Sequence, residues 1–259
     1  MKPEILHDNA EIASFFHRNT SLHFYSIGDL DPFFRPRCTY YGLREEGDLR
    51  AVILLYNGAV TTLLALGSYP KYLRTLLRAL LPDLPDRFYA HLSPGLETTL
   101  RERYRLQPAG LCAKMQLVDK NALESVDTDG VMRLHSSDDM QTVQTFLDEA
   151  YPGNWFDPTM LSTGHYYGVW EHGKLIGVSG VHLYSEEYGV AAIGNIAVDM
   201  AHRGQGMGER LVARLCRELL HNVDFVGLNV KVNNEIALAL YGGLGFKTTN
   251  HYGEFFAGE

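Results

Sequence analysis

The stretch YYGLREEGDLRAV (Tyr40 to Val52) returns as YYGVWEHGKLIGV (Tyr166 to Val178), without a gap and with seven of thirteen positions identical. Each copy is an apolar run, a turn carrying glycine and a second apolar run, the pattern of an antiparallel hairpin. The copies lie 126 residues apart in a chain of 259. A repeat of that period constrains the chain to two similar halves. The flanks agree: TTLLALG, YPKYLRTLLRALL, RFYAHL and GLETTLRERY follow the first copy, reading strand, helix, strand, helix. GVAAIGNIAV, GERLVARLCRELL, FVGLNVKV and EIALALYGGL follow the second in the same order. The polar stretch DKNALESVDTDG marks the join, giving halves at 1–125 and 126–259. The fold class is α/β (α+β), each half a mixed, mostly antiparallel sheet flanked by helices.

Within the second half, VMRLH reads as a strand and Asp138 to Ala150 as a helix, with Asp138 and Gln141 spaced as a capping box. A loop with a short helix, a three-strand meander and a closing hairpin-like pair (GFKTTN, YGEFFA) complete it. A net charge of −8 argues against a general nucleic-acid surface. Cys38, Cys112 and Cys216 are far apart, and no Cys/His spacing suits a metal. Buried free thiols in a reducing, cytoplasmic compartment are expected. The opening residues lack the apolar core of a signal peptide. The longest apolar stretch, AVILLYNGAVTTLLALG, is interrupted by Asn57, Gly58 and two threonines, so no membrane span is expected.

The halves differ at one decisive place. Where the first carries Leu66-Gly67-Ser68-Tyr69-Pro70, the second carries AVDMAHRGQGMGERLVARL, with Gly204, Gly206 and Gly208 at the mouth of a helix. A glycine-rich strand-to-helix turn presents backbone N–H groups at a helix N-terminus, a geometry that binds phosphate. No Lys-Ser/Thr follows, which excludes a P-loop, and GxGxG after a meander does not fit a dinucleotide turn. The stretch resembles the GNAT (GCN5-related N-acetyltransferase) superfamily. The pattern Arg/Gln-x-x-Gly-x-Gly/Ala after an apolar-Ala-Val strand end is matched by Arg203, Gly206 and Gly208 after NIAVD. A second element, Asn-x-x-Ala-x-x-Leu-Tyr then Gly-Phe, is matched by Asn234, Ala237, Leu240, Tyr241, Gly245 and Phe246. The resemblance covers roughly residues 130–255, and the first half is similar to a degenerate copy. Glycine N-acyltransferase-like enzymes, which pair a worn half with an active one, are similar in this respect.

This resemblance implies direct transfer of an acetyl or other short acyl group from acetyl-CoA to an amine, without a metal. It implies that Arg203, Gly204, Gln205, Gly206, Met207 and Gly208 hold the pyrophosphate of coenzyme A. Ile196, Ala197 and Val198 would pair with the pantetheine arm, and the Val198 N–H would stabilise the oxyanion. Tyr241 either takes the place of the general acid that returns a proton to sulfur or packs as an aromatic on the inner face of its helix. Asn234 either bonds the pantetheine or caps the last helix; Arg203 either faces phosphate or is solvated. The sequence departs from the family at Ala192, where many members carry the strand glutamate that serves as base. His182, Glu186, Glu187 or a water relay are the substitutes, and His182 titrates in the right range. Tyr151, Trp155 and Phe156 lie in the loop that walls the acceptor site, as pocket or as anchors. A small-molecule amine is the expected acceptor, with no nucleic-acid or membrane partner. The alternative is a non-catalytic acyl-CoA-binding or regulatory module, which the missing carboxylate favours and the retained Tyr241 opposes.

Overall fold

The computed structural model describes residues 2–135 and 137–258. Contacts divide the chain into two compact units, Met1–Lys114 with Thr249–Glu259, and Met115–Thr248.

In the first unit, strand β1 (Glu4–Leu6) leads to helices α1 (Asn9–Phe16) and α2 (Thr20–Gly28). Each helix is announced by a side-chain cap: Asp8 accepts from the N–H groups of Ala10 and Glu11, and Asn19 from that of Leu22. Strands β2 (Cys38–Glu45) and β3 (Asp48–Asn57) form the first hairpin of the repeat. Its two loop residues, Glu46 and Gly47, both have positive φ, as a tight hairpin twist requires. Strand β4 (Thr61–Ala65), helix α3 (Pro70–Leu80) and strand β5 (Phe88–Leu92) make a parallel crossover. Leu73, Leu76, Leu77 and Leu80 recur at helical spacing on α3 and bury against Ile53, Leu55 and Leu63. The segment expected as a fourth helix after β5 is a single turn, α4 (Glu97–Leu100), followed by strand β6 (Arg105–Leu117).

This unit encloses a fully buried lysine. Lys114 Nζ lies 4.4 Å from the centre of the Phe24 ring, 5.1 Å from Tyr25 and 5.2 Å from Tyr252. Burial pushes its pKa down to about 7, against the opposing pull of the Glu254 carboxylate. Glu254 accepts hydrogen bonds from Tyr89 (2.6 Å) and Tyr252 (2.8 Å).

In the second unit, strand β7 (Met132–Arg133) and helix α5 (Met140–Ala150) precede the second hairpin, β8 (Tyr167–Glu171) and β9 (Lys174–Ser185). Its loop residues, His172 and Gly173, repeat the positive φ pair of the first copy. Strand β10 (Val190–Val198), helix α6 (Met207–Leu219) and strand β11 (Phe225–Lys231) form the second crossover. Helix α7 (Glu235–Gly243) and strand β12 (Phe246–Gly258) close the chain. The apolar stripe of α6, which includes Met207, Leu211, Leu215 and Leu219, is buried. Leu211 and Met207 sit over Gly177 of β9, and Ser179 Oγ donates to the Leu211 carbonyl (3.0 Å). By strand alternation, Gly180 and His182 face the other side. There the Tyr166 ring lies on Gly180, and its hydroxyl meets Met160 Sδ at 3.6 Å.

Three expectations are corrected. The division falls at Lys114/Met115, not 125/126, and the last residues return to the first unit. The reason is strand pairing: the supposed closing hairpin is one strand, β12, and Gly253–Ala257 pair antiparallel with β5. The capping box at Asp138 does not form. Asp139 holds the N-cap position of α5, and its carboxylate instead accepts from the His135 N–H (2.7 Å).

Candidate functional site

Strand β10 pairs with β9 from Val190 to Val198, but its parallel ladder with β11 covers Val190, Ala191 and Ala192 alone among the described residues. Beyond Ala192 the two strands part. Two irregularities in the β9–β10 register accompany the parting. Between Ala192 and Ile193 the extra residue is on β9, at His182; between Gly194 and Ala197 it is on β10, at Asn195 and Ile196. Asn195 has φ 51°, a left-handed conformation that asparagine tolerates better than most residues.

The direction of the freed edge follows from one hydrogen bond. The Asp199 N–H donates to the Ile176 carbonyl at 2.9 Å, toward β9. Alternation then points the N–H and carbonyl of Val198 the opposite way, to the side where β11 has withdrawn. The Val198 carbonyl is met there by Arg203 Nε at 3.0 Å. The Val198 N–H, expected as the oxyanion donor, is thus directed along the open edge.

The turn after β10 is braced. Asp199 accepts from the Ala201 N–H (3.0 Å) and from His202 Nδ1 (2.9 Å), while His202 Nε2 contacts Glu171 at 3.0 Å. Hydrogen bonds to Asp199 first, then Glu171, raise the His202 pKa. Gly204 and Gly206 have φ 75° and 76°, and a Cβ added to either would meet nothing within 4 Å. The turn therefore has an open face and a backbone that a side-chain residue would strain. Gly206 is the N-cap of α6, and the first intrahelical bond runs from Arg210 N to the Gly206 carbonyl. The N–H groups of Met207, Gly208 and Glu209 precede it and have no intrahelical acceptor. They lie at the positive end of a helix of thirteen residues.

Arg203 takes a role that sequence reasoning did not offer. Besides Val198, it bonds the Ala150 carbonyl through Nη2 (3.2 Å), tying the end of α5 to the turn. Gln205 bonds the Ala201 carbonyl (3.3 Å). Asn234 caps α7, accepting from the Ala237 N–H at 3.2 Å. Tyr241, on α7, packs edge-on against Phe246 with ring centres 5.8 Å apart. Burial, with Tyr151 and Cys216 as lesser influences, holds its hydroxyl above the ordinary phenol range. It therefore stays protonated at neutral pH.

Ile196, Ala197 and Val198 line the freed edge. His182 packs over Gly194, and burial lowers its pKa while the Asn195 side chain opposes that shift. The ring is neutral near pH 7. Glu186 and Glu187 are exposed beyond Ser185, which pairs with Val190 at the far end of β10 from Val198. Eight residues of strand place them roughly 26 Å away. Trp155 and Tyr151 are exposed, whereas Phe156 packs edge-on against Tyr166 at 5.6 Å. Tyr166 and Asn195 were the residues missed as site components. No local pattern reports a bulge, although an asparagine beside a glycine in an apolar strand was the available hint. Among the described residues no cluster of His, Cys, Asp or Glu could hold a metal ion, and no helix is long and apolar enough to cross a membrane.

A strand pair that parts beside a glycine turn and a helix N-terminus, within a mixed and mostly antiparallel sheet flanked by helices, sets the class of fold. The model of the acetyltransferase (GNAT) family matches residues 130–246, which lie within the second unit. The N-alpha-acetyltransferase RimI of Mycobacterium tuberculosis is 37% identical over 39% of this chain and 63% of its own length. An uncharacterized protein of Mycobacterium leprae is 34% identical over 39% of this chain and 28% of its own. The chain thus spans less than two thirds of either relative. Over nearly the whole chain, three solved structures share the fold. A Drosophila protein is 15% identical with a TM-score of 0.72, over 99% of this chain and 98% of its own. A GNAT-family acetyltransferase of Colwellia psychrerythraea is 14% identical with a TM-score of 0.59, over 100% of both chains. A tandem GNAT protein from the clavulanic acid biosynthesis pathway is 13% identical with a TM-score of 0.58, over 98% of this chain and 97% of its own.

Proposed function

We propose that this protein is a CoA-dependent N-acyltransferase that moves an acetyl or other short acyl group onto a small amine in a ternary complex, in the cytoplasm. One observation carries the reading: the freed edge of β10 runs directly into a glycine turn whose open face exposes the N-terminal N–H groups of α6. An edge suits an amide-bearing arm that pairs like an added strand, and the turn suits a pyrophosphate. Ile196, Ala197 and Val198 take the arm. Gly204, Gln205, Gly206, Met207 and Gly208 surround the phosphates, with Arg203 holding the turn in shape.

In the reaction the amine lone pair attacks the thioester carbonyl carbon, the C–S bond breaks and the amide bond forms. The nitrogen gives up one proton and the departing thiolate takes one, so the balance closes without a further reactant. The Val198 N–H faces the developing oxyanion. Tyr241, kept protonated by burial, donates to sulfur. His182, neutral at pH 7, accepts the proton of the amine.

Calorimetric titration of acetyl-CoA into the wild type and Gly206→Asp tests this. The variant places a charged side chain at φ 76°, and binding weakens about a hundredfold. A folded wild type that does not bind acetyl-CoA would overturn the reading. Binding without CoA-thiol release across a panel of small amines would favour the non-catalytic acyl-CoA-binding module, for which the buried Ala192 in place of a carboxylate speaks.

A further inference from the structure

Most side chains that brace the turn between β10 and α6 act close by. Gln205 bonds the Ala201 carbonyl, and His202 bonds Asp199. His202 also meets Glu171, and Lys174 meets Asp199 at 3.9 Å, contacts that reach the β8–β9 hairpin. Arg203 goes elsewhere. Its Nη2 donates to the Ala150 carbonyl at 3.2 Å, a residue 53 positions back along the chain. Its Nε donates to the Val198 carbonyl at 3.0 Å. One planar guanidinium thus bridges the last residue of β10 and the last residue of α5.

Both acceptors sit where regular structure ends. The Val198 carbonyl faces the side from which β11 has withdrawn. The Ala150 carbonyl belongs to the final turn of a helix, whose last carbonyls have no intrahelical donor. That turn is also the negative end of the α5 dipole, which favours a cation. The bridge satisfies two main-chain groups with one side chain and fixes the end of α5 against the end of β10.

The segment that begins there hangs from α5 by local bonds. The Tyr151 N–H donates to the Leu147 carbonyl at 2.9 Å, and the Asn154 N–H to the Tyr151 carbonyl at 3.1 Å. Asn154 Nδ2 returns to Asp148 Oδ1 at 3.2 Å, and Asn154 Oδ1 accepts from the Phe156 N–H at 3.0 Å. At its far end Phe156 packs on Tyr166; at its near end Tyr151 acts electrostatically on the Tyr241 hydroxyl. A shift of the α5 terminus therefore carries to a residue beside the candidate acid.

We infer that Arg203 is a positioning residue that couples the glycine turn to the Tyr151–Phe156 segment, so that a ligand ordering the turn also orders the segment beside Tyr241. For the identity of that ligand the inference rests on the acyltransferase reading; the bridge itself does not. Such coupling is reciprocal: an amine held by the segment favours the donor in turn.

Amide hydrogen exchange of the full-length protein, alone and with saturating coenzyme A, reads both ends at once. In the wild type, coenzyme A should slow exchange at Met207, Gly208 and Glu209, and should slow it about fivefold at Tyr151, Asn154 and Phe156. Without coenzyme A, Arg203→Ala should speed exchange at Tyr151, Asn154 and Phe156 about five- to tenfold, the worth of one hydrogen bond. The β8–β9 ladder is the control and should keep its rates. With coenzyme A at saturation for the variant, the α6 amides should be protected while the segment stays fast. Arg203→Lys, whose ammonium cannot fork onto two carbonyls, should resemble Arg203→Ala. Segment rates that Arg203→Ala leaves unmoved overturn the inference. A quickening that the β8–β9 ladder shares equally is a general loss of stability and overturns it too. Wild-type rates in Arg203→Lys overturn the bridge in favour of charge alone. Protection of α6 with no change in the wild-type segment overturns the coupling. No protection of the α6 amides by coenzyme A overturns the acyltransferase reading and leaves the ligand-free comparison to judge the bridge.

Discussion

The crossovers β4–α3–β5 and β10–α6–β11 share their chain order and part company in their ladders. In the first unit, Thr62 to Ala65 pair one by one with Tyr89 to Leu92. The closure continues past the strand ends: Ser93 N–H donates to the Ala65 carbonyl and Gly67 N–H to Ser93 Oγ, both at 3.0 Å. The β3–β4 register runs without a shift. Helix α3 then opens on Tyr69 and Pro70, with no side-chain cap and with one donor removed by proline. In the second unit the ladder stops at Ala192, and two bulges re-aim the rest of β10. The comparison teaches that the gap is not made by deleting a strand. It accompanies one extra residue in each of two intact strands, β9 and β10, and the turn chemistry beyond it decides whether anything anionic can be held there.

Three variants break or sharpen that contrast. The largest effect is expected from Tyr241→Phe, which removes the candidate acid from the second unit: kcat for amine acetylation falls about a hundredfold, with KM for acetyl-CoA nearly unchanged. An unchanged kcat would reduce the contrast between the units to binding alone. Ser93→Ala is next. It takes the acceptor from the Gly67 N–H in the closed ladder, and the urea midpoint should drop by the equivalent of about 1 kcal/mol. Acetyl-CoA affinity should not change; a loss of affinity would mean that the closed crossover takes part in binding. The smallest effect belongs to His202→Gln. The folded pKa of His202 is raised above its ordinary 6.5 by Asp199 and Glu171. Its contribution is therefore full below that value and fades as pH rises through the folded pKa. The variant should lower Tm at about pH 6 and match the wild type by about pH 9. A Tm deficit that grows with pH would contradict the bracing described for the turn.

The repeat, the order of elements and the glycine turn were all legible in the sequence because each is local. Two hairpin copies, with Glu46-Gly47 and His172-Gly173 at their loops, were enough to fix the doubling. What was not legible depends on partners far along the chain. GFKTTN and YGEFFA read as two arms of a hairpin, yet they form one strand, β12, whose end pairs with β5. Tertiary packing outweighs local propensity there. Arg203 reads as a phosphate ligand because arginine so often is one; only the folded turn shows the carbonyls of Val198 and Ala150 within its reach. The His182–Asn195 meeting needs two register shifts on neighbouring strands, and a one-residue slip leaves no mark in hydrophobic alternation.

The freed edge of β10 has a consequence beyond chemistry. A row of unpaired main-chain groups is a template onto which another chain's strand can add, and proteins ordinarily hide or charge such rows. On the proposed reading, the acyl donor is also what covers this one. Supply of the donor and quality control of the protein then become the same variable. At a donor concentration one hundred times Kd, the folded state gains about 2.7 kcal/mol, while a cell depleted of donor leaves the edge bare and the chain more exposed to self-association and proteolysis.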